Sequence, residues 1–313
     1  MISLRRTAIS YLLILIFLCL LPVFIKSYYL LHVFILTFIY IIATSSLRLI
    51  ATSGQISLGH AGFMSIGAYT AAILAKELGW SPWLTLPLGG LSTMIVAMIV
   101  GYPFSRLRLI YFSMVSLFFG IGILAVNQVF DYYTGGFSGM MLIPPLLGSS
   151  KLPYYYFFLG LTLLCLIFMV RFETCRIGLT IKAIAQSHTV ASSVGINEAA
   201  YRILILSIGC FFAGIAGAGY AHYTLVLTHG TFNLLASINL VIYMLVGGIN
   251  RFIGPVIGTA VLMILPELFR DLKEYVPFVF SGIMLLVLFV MPDGLAGLPG
   301  QIKYWISTHR KKG

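Results

Sequence analysis

The stretch Arg171–Arg202, RFETCRIGLTIKAIAQSHTVASSVGINEAAYR, decides how this chain is read. It is the longest polar segment between apolar runs, and apolar runs flank it on both sides. Within it Ile177, Ile181, Ile184, His188 and Ala191 recur at helical spacing, while Lys182, Gln186, Thr189 and Ser193 take the other side. Gly195 stands where a glycine ends a helix. The spacing predicts a short amphipathic helix lying across one face of a membrane protein, open to a soluble partner or to lipid headgroups.

Outward from this loop the chain is greasy. Of 313 residues, 60% are hydrophobic and 9% charged, with a mean hydropathy of +1.04. Soluble domains carry about a quarter charged residues, so this chain cannot cover a water-facing surface. Apolar runs lie near Ser10–Ile25, Tyr28–Leu47, Ala61–Ala75, Trp83–Tyr102, Leu109–Gln128, Tyr154–Val170, Ile203–Tyr223, Leu234–Gly247, Phe252–Phe269 and Val276–Met291. Many approach the length a helix needs to cross a bilayer, and the alternation of a transmembrane strand is absent. The expected fold is all-α, a polytopic transmembrane helical bundle of about ten spans. Residues 1–313 are expected to form one transmembrane domain, with residues 171–202 as a cytoplasmic loop within it.

The net charge of +11 needs no nucleic acid to explain it, because lysine and arginine collect in cytoplasmic loops. With the N-terminus inside, Arg5, Arg6, Arg48, Arg106, Arg108, Arg171, Arg176, Lys182, Arg202, Arg251, Lys303, Arg310, Lys311 and Lys312 fall inside. Lys26, Lys76, Lys151, Arg270 and Lys273 fall outside. That bias places both termini in the cytoplasm. Arg5 and Arg6 before an apolar run suggest a signal peptide, but no small-residue cleavage site follows, and Phe17 and Leu18 precede Cys19. The segment is expected to remain as a first span. The four cysteines show no metal-ligand spacing and are expected to be unpaired.

Five runs precede Tyr154–Val170 and five begin with it. Five is odd, so the second half enters the membrane from the opposite side, the arithmetic of an inverted repeat. Two interrupted segments occupy corresponding places: Thr52–Gly67 (TSGQISLGHAGFMSIG) and Thr224–Ser237 (TLVLTHGTFNLLAS). Irregular backbone at membrane depth must be buried in protein or line water. The pair marks a candidate permeation pathway, with Gln55, Ser57, His60, Thr228 and Asn233 as its polar residues; ordinary loops share the composition. His60, His222 and His229 suit packing at least as well as proton carriage.

Small residues recur every fourth position at Gly89, Thr93, Ala97 and Gly101, at Ala213, Gly217 and Ala221, and at Gly254 and Gly258. Such lines let helices approach closely in lipid. Between the fifth and sixth runs, Phe130–Pro153 reads as a structured outer loop, either a connector or a place for a solute-delivering protein to dock.

The chain has no phosphate-binding G-x-x-x-x-G-K-[ST] loop, no zinc motif and no nucleophile elbow. It is read as non-catalytic, with no cofactor and no metal. Its carboxylates lie at the edges of the runs, and proton-driven carriers usually need ionisable groups within them. Energy must then come from another chain, and Arg171–Arg202 is the loop through which an ATPase would drive this one.

Four separated stretches carry a family likeness: GQISLGHAGFMSIGAYTAA (Gly54–Ala72), TGGFSGM (Thr134–Met140), RIGLTIKAIAQSHTVASSVGIN (Arg176–Asn197) and GGINRFIGPVIGTAVLMILPEL (Gly247–Leu268). A fifth, PDGLAGL (Pro292–Leu298), closes the chain. With them the chain resembles the membrane subunits of branched-chain amino acid ABC importers, the larger of the two permease types. The resemblance implies a second permease subunit, two ATP-binding subunits and a periplasmic substrate-binding protein, all at a bacterial inner membrane with its lipid. It implies leucine, isoleucine, valine or a relative as solute. It also implies that the loop docks in a groove of the ATPase, with Arg176, Gly178, Lys182 and Gly195 as coupling residues. Leu179 and Ala185 stand where relatives often carry basic residues, Gln186–His188 where they carry acidic ones, and Asp293 replaces a commonly basic residue. Urea, amides or another small polar solute is the alternative cargo, and an energy-independent channel the alternative mechanism.

Overall fold

The computed structural model describes residues 16–22, 27–107, 109–148, 150–268, 281–282, 284–285 and 294–297. Its helices are α1 (Tyr28–Ala51), α2 (His60–Lys76), α3 (Pro82–Ser105), α4 (Leu109–Val129), α5 (Asp131–Thr134), α6 (Lys151–Thr174), α7 (Arg176–Gln186), α8 (His188–Ser193), α9 (Glu198–Thr224), α10 (Leu234–Gly247) and α11 (Gly254–Leu268). Two short strands, β1 (Met140–Met141) and β2 (Val226–Leu227), pair antiparallel. The fold is all-α, and eight of the expected apolar runs emerge as helices, most of them longer than the run by a few residues at either end. The runs at Ser10–Ile25 and Val276–Met291 fall largely outside the described residues. So do Arg5, Arg6, Lys26, Arg108, Arg270, Asp271, Lys273, Glu274, Asp293, Lys303, Arg310, Lys311 and Lys312.

Five helices (α1, α3, α4, α6 and α9) are long and apolar enough to cross a membrane. The others that carry apolar runs are short. At about 1.5 Å per residue, the 17 residues of α2 and the 14 of α10 fall short of a hydrocarbon core of roughly 30 Å. Each is preceded by an irregular segment, and these are the two interrupted stretches, trimmed to their non-helical parts before His60 and Leu234.

In lipid, burying an apolar side chain gives little driving force between helices, so close backbone approach and interhelical hydrogen bonds matter more. All three small-residue lines are used in this way. A Cβ on Gly89 would meet Gly67 and Ala218, and one on Gly214 would meet Gly89 and Thr93, which locks α3 to α9. Gly217 lies against the Met64 carbonyl of α2, and Gly258 of α11 against the Tyr243 carbonyl of α10. Helix α9 is therefore the central post, packed by α1, α2 and α3.

Buried histidines supply the polar ties. Thr85 Oγ1 and His222 Nε2 lie 2.7 Å apart, and His222 Nδ1 is 2.9 Å from the Pro144 carbonyl. His60 Nε2 is 2.8 Å from Ser46 Oγ. The loop between α5 and α6 is tied by a tyrosine. Tyr154 Oη accepts from the backbone N–H of Leu146 and Leu147 and lies 3.3 Å from the His222 carbonyl.

The basic residues Arg48, Arg106, Arg202 and Arg251 gather at the end of the bundle that carries α7. Arg48 reaches the Ile249 carbonyl and Arg202 the Leu107 carbonyl, and a Cβ added at Gly54 would meet Ala185 of α7. Lys151 lies at the opposite end with the β ribbon. The tail piece Gly294–Gly297 seats on the Gly247–Gly248 turn, where Arg251 Nη1 donates to the Ala296 carbonyl at 2.7 Å.

Candidate functional site

Two regions bear on function, one at each side of the α2–α10 contact. The first is built around α7. The single helix expected over Ile177–Ala191 is two, because the Ser187 backbone is extended (φ −157°, ψ 103°) and its side chain caps α8 by accepting from Val190 N. A serine that bonds its own downstream backbone competes with helix continuation. Helix α8 closes as the glycine reading requires. Ile196 N donates to the Ala191 carbonyl and Gly195 N to the Ser192 carbonyl, with Gly195 left-handed at φ +84°. This paired pattern satisfies the last carbonyls of the helix.

Ile181 and Ile184 point inward and are buried, while Leu179, Val190 and Val194 are exposed. Gly178 is buried because α7 turns back against the end of α6. A Cβ there would overlap the carbonyls of Phe172 and Glu173.

Beneath α7 sits a chain of charges. Lys182 Nζ lies 2.8 Å from Glu173 Oε1. Arg48 Nη1 donates to Glu173 Oε2 at 2.6 Å and Arg48 Nη2 to Oε1 at 3.0 Å. Arg48 Nε donates to the Ile249 carbonyl at 2.9 Å, and its guanidinium covers the Phe252 ring at 5.4 Å. Arg48 and Glu173 are buried. Two-pronged arginine–carboxylate bonds are short, strong and geometrically fixed. The chain of contacts joins α7, α6, α1 and the α10–α11 turn.

The second region lies where α2 and α10 meet near their N-terminal ends: Ala61 N donates to Ser237 Oγ at 3.0 Å. The backbone of the segment before α2 is paired by α4, with Ser116 Oγ accepting from Leu58 N and Ser113 Oγ donating to the Ile56 carbonyl. Gly59 and Gly62 press against Ser116 and Gly120, and the void left between these surfaces and Phe232–Ser237 measures about 10 Å³.

Beyond this closure a cleft of about 390 Å³ opens among α1, α9, α10 and α11. Tyr40, Tyr220 and Tyr243 line it with Asn233, Asn239 and Met263.

The expected pathway residues are thus divided. Gln55, Ser57 and His60 are buried in the closed part, where Gln55 Nε2 donates to the Leu107 carbonyl at 3.1 Å. Asn233 lines the cleft and caps α10 by accepting from Ala236 N at 2.9 Å. Thr228 is exposed and shares a hydrogen bond with Thr231. Of the expected coupling residues, Arg176 and Gly195 are exposed, Gly178 is buried and Lys182 faces Glu173.

Sequence reasoning missed Arg48 and Glu173 as partners, although Arg48 is a lone charge at the end of an apolar run. It missed Tyr40, Tyr220, Tyr243 and Asn239 altogether. They come from three helices, and no spacing along the chain announces that they converge.

A family profile described as branched-chain amino acid transport system / permease component matches residues 29–291. The chain is similar to the high-affinity branched-chain amino acid transport system permease protein LivM of Salmonella typhimurium, 28% identical over 83% of this chain and 68% of that protein. LivM of Escherichia coli K12 gives the same figures. The permease protein LivH of Salmonella typhimurium is 25% identical over 79% of this chain and 87% of its own length. No solved structure matches the chain. With most of its length accounted for by one family profile, the chain belongs to the family of branched-chain amino acid transport permease components.

Proposed function

We propose that the chain is a non-catalytic membrane subunit of an ATP-driven importer for branched-chain amino acids in a bacterial inner membrane. Two partner chains would hydrolyse ATP, a second permease would complete the pathway, and a periplasmic binding protein would deliver solute at the β-ribbon end. Transport would proceed by alternating access between two inverted halves, whose signatures are the short helices α2 and α10.

One observation carries the reading: α7 shows an exposed outer face and is fastened on its inner face to buried charges that reach several spans. In this account the ATPase grips Arg176, Leu179 and the Gly195 turn. Gly178 and Lys182 pass its movement inward, through Glu173 and Arg48, to α6, α1 and the α10–α11 turn. ATP can shift the equilibrium only by favouring one state over the other, and a stiff link supplies that preference. Gln55, Ser57 and His60 would form the closed end of the pathway, with Asn233 and Thr228 toward its open end. The tight closure at Gly59 and Gly120, with a void near 10 Å³, disfavours a constitutive channel along these helices.

Reconstituted with its partners, the complex is expected to take up labelled leucine with ATP and to stop with vanadate. An assembled Gly195→Arg complex is expected to hydrolyse ATP without uptake. Uptake at the wild-type rate in that variant, or uphill accumulation without nucleotide, contradicts the reading.

A further inference from the structure

The importer reading leaves open where this subunit touches its cargo. The cleft among α1, α9, α10 and α11 has the dimensions for it: about 390 Å³, within the range of roughly 300–1,000 Å³ usual for small-molecule sites. Its walls are of two kinds. Leu36, Leu235 and Met263 are apolar, while Tyr40, Tyr220 and Asn239 bring hydroxyls and an amide. Those three polar groups make no hydrogen bond to the rest of the chain among the described residues, so their capacity faces the cleft. Tyr243 is less available, since its hydroxyl lies 3.4 Å from Met263 Sδ.

Among the described residues, no charged side chain lines the cleft. A ligand with net charge would leave water here without a counter-charge, which is costly in a low-dielectric site. A zwitterion brings its own. Its ammonium and carboxylate can be met by neutral acceptors and donors, and an aliphatic side chain by the apolar wall. Neutral contacts also hold a solute loosely enough to release it, as passage through a membrane requires.

Other depressions fit less well. The one between α2 and α4, about 450 Å³, is walled mainly by apolar atoms. Asn127 Nδ2 is already spent on Ser65 Oγ and Thr134 Oγ1 on the Asn127 carbonyl, which leaves the Tyr69 hydroxyl as its one buried polar atom without a partner among the described residues. The notch at Arg106, Glu198 and Arg202 is charged and lies at the α7 end.

We propose that the Tyr40–Tyr220–Asn239 cleft is this subunit's share of a transient binding site for aliphatic amino acid zwitterions, selective against net-charged ones. The proposal rests on the importer reading above.

The test uses the complete complex in proteoliposomes, with the binding protein loaded with tritiated leucine. Tyr220→Phe keeps ring shape and is expected to lower uptake about tenfold, the loss of one hydrogen bond to a charged group. Asn239→Asp adds a charge and is expected to lower it at least about tenfold, because the unpaired carboxylate must be desolvated. Asn239→Gln keeps the amide and is expected to restore most of the rate. ATP hydrolysis should stay near wild type in all three. Wild-type leucine uptake in both Tyr220→Phe and Asn239→Asp overturns the cleft while leaving the importer intact. Equal losses in Asn239→Gln and Asn239→Asp also overturn it, by showing that packing rather than charge is read. A wild-type complex that takes up no aliphatic amino acid overturns both readings.

Discussion

The α7 end and the cleft treat polarity in opposite ways. Under α7, Lys182, Glu173 and Arg48 are formal charges held at 2.6–3.0 Å and mostly shut away from water. In the cleft, the polar atoms of Tyr40, Tyr220 and Asn239 are neutral and make no hydrogen bond among the described residues. A buried, fully paired charge resists separation, because parting it exposes an uncompensated ion. That property suits a joint that must move as one piece. Neutral hydrogen-bonding groups give up a ligand at small cost, which suits a surface that solute must leave. Among the described residues, charge sits where force would pass and not where cargo would pass.

Breaking the joint should have the largest effect. Glu173→Gln leaves Arg48 buried without its partner and is expected to cost about 3–5 kcal/mol, read as a fall in the thermal midpoint of the purified complex. A change below about 1 kcal/mol would show that the joint is not sealed from solvent.

The post between the two regions comes next. At Gly217 a Cβ would overlap the Met64 carbonyl. Gly217→Val is therefore expected to cost about 1–3 kcal/mol through overpacking, lowering uptake and ATP hydrolysis together. A selective loss of either one would mean that α9 serves only one region.

On the cleft side, Asn233→Ala removes the α10 cap and should cost about 1 kcal/mol, with uptake falling while ATP hydrolysis holds. Lys182 is part exposed, so Lys182→Met should change stability by only about 0–1 kcal/mol. Its expected signature is less uptake per ATP hydrolysed. An unchanged ratio would remove Lys182 from the joint.

Much of the fold was legible because membrane spans leave a one-dimensional signal. The runs from Tyr28–Leu47 to Phe252–Phe269 became helices, and the glycines at 89, 217 and 258 became close contacts. The interrupted segments were legible too, since glycine with scattered polar residues cannot continue an apolar helix.

Two things were hidden. The break at Ser187 depends on one side chain capping the helix that follows it, which competes locally with an otherwise helical pattern. Of the site, Asn233 and Lys182 were named and now lie in the cleft and under α7. Their neighbours were not, because Arg48 lies 125 residues from Glu173 along the chain. Tyr40, Tyr220 and Asn239 likewise meet only through packing. A sequence marks residues unsuited to lipid before it marks which of them meet.

The central claim is that the buried charges transmit movement rather than merely hold the bundle together. The double variant Arg48→Met with Glu173→Leu separates the two roles, since an apolar pair of similar volume often matches a buried ion pair in stability. The deciding measurement is leucine taken up per ATP hydrolysed by that variant, assembled with its partners in proteoliposomes. The account predicts a thermal midpoint near wild type, continued ATP hydrolysis and uptake largely lost. A wild-type ratio of uptake to hydrolysis in a stable double variant would contradict it.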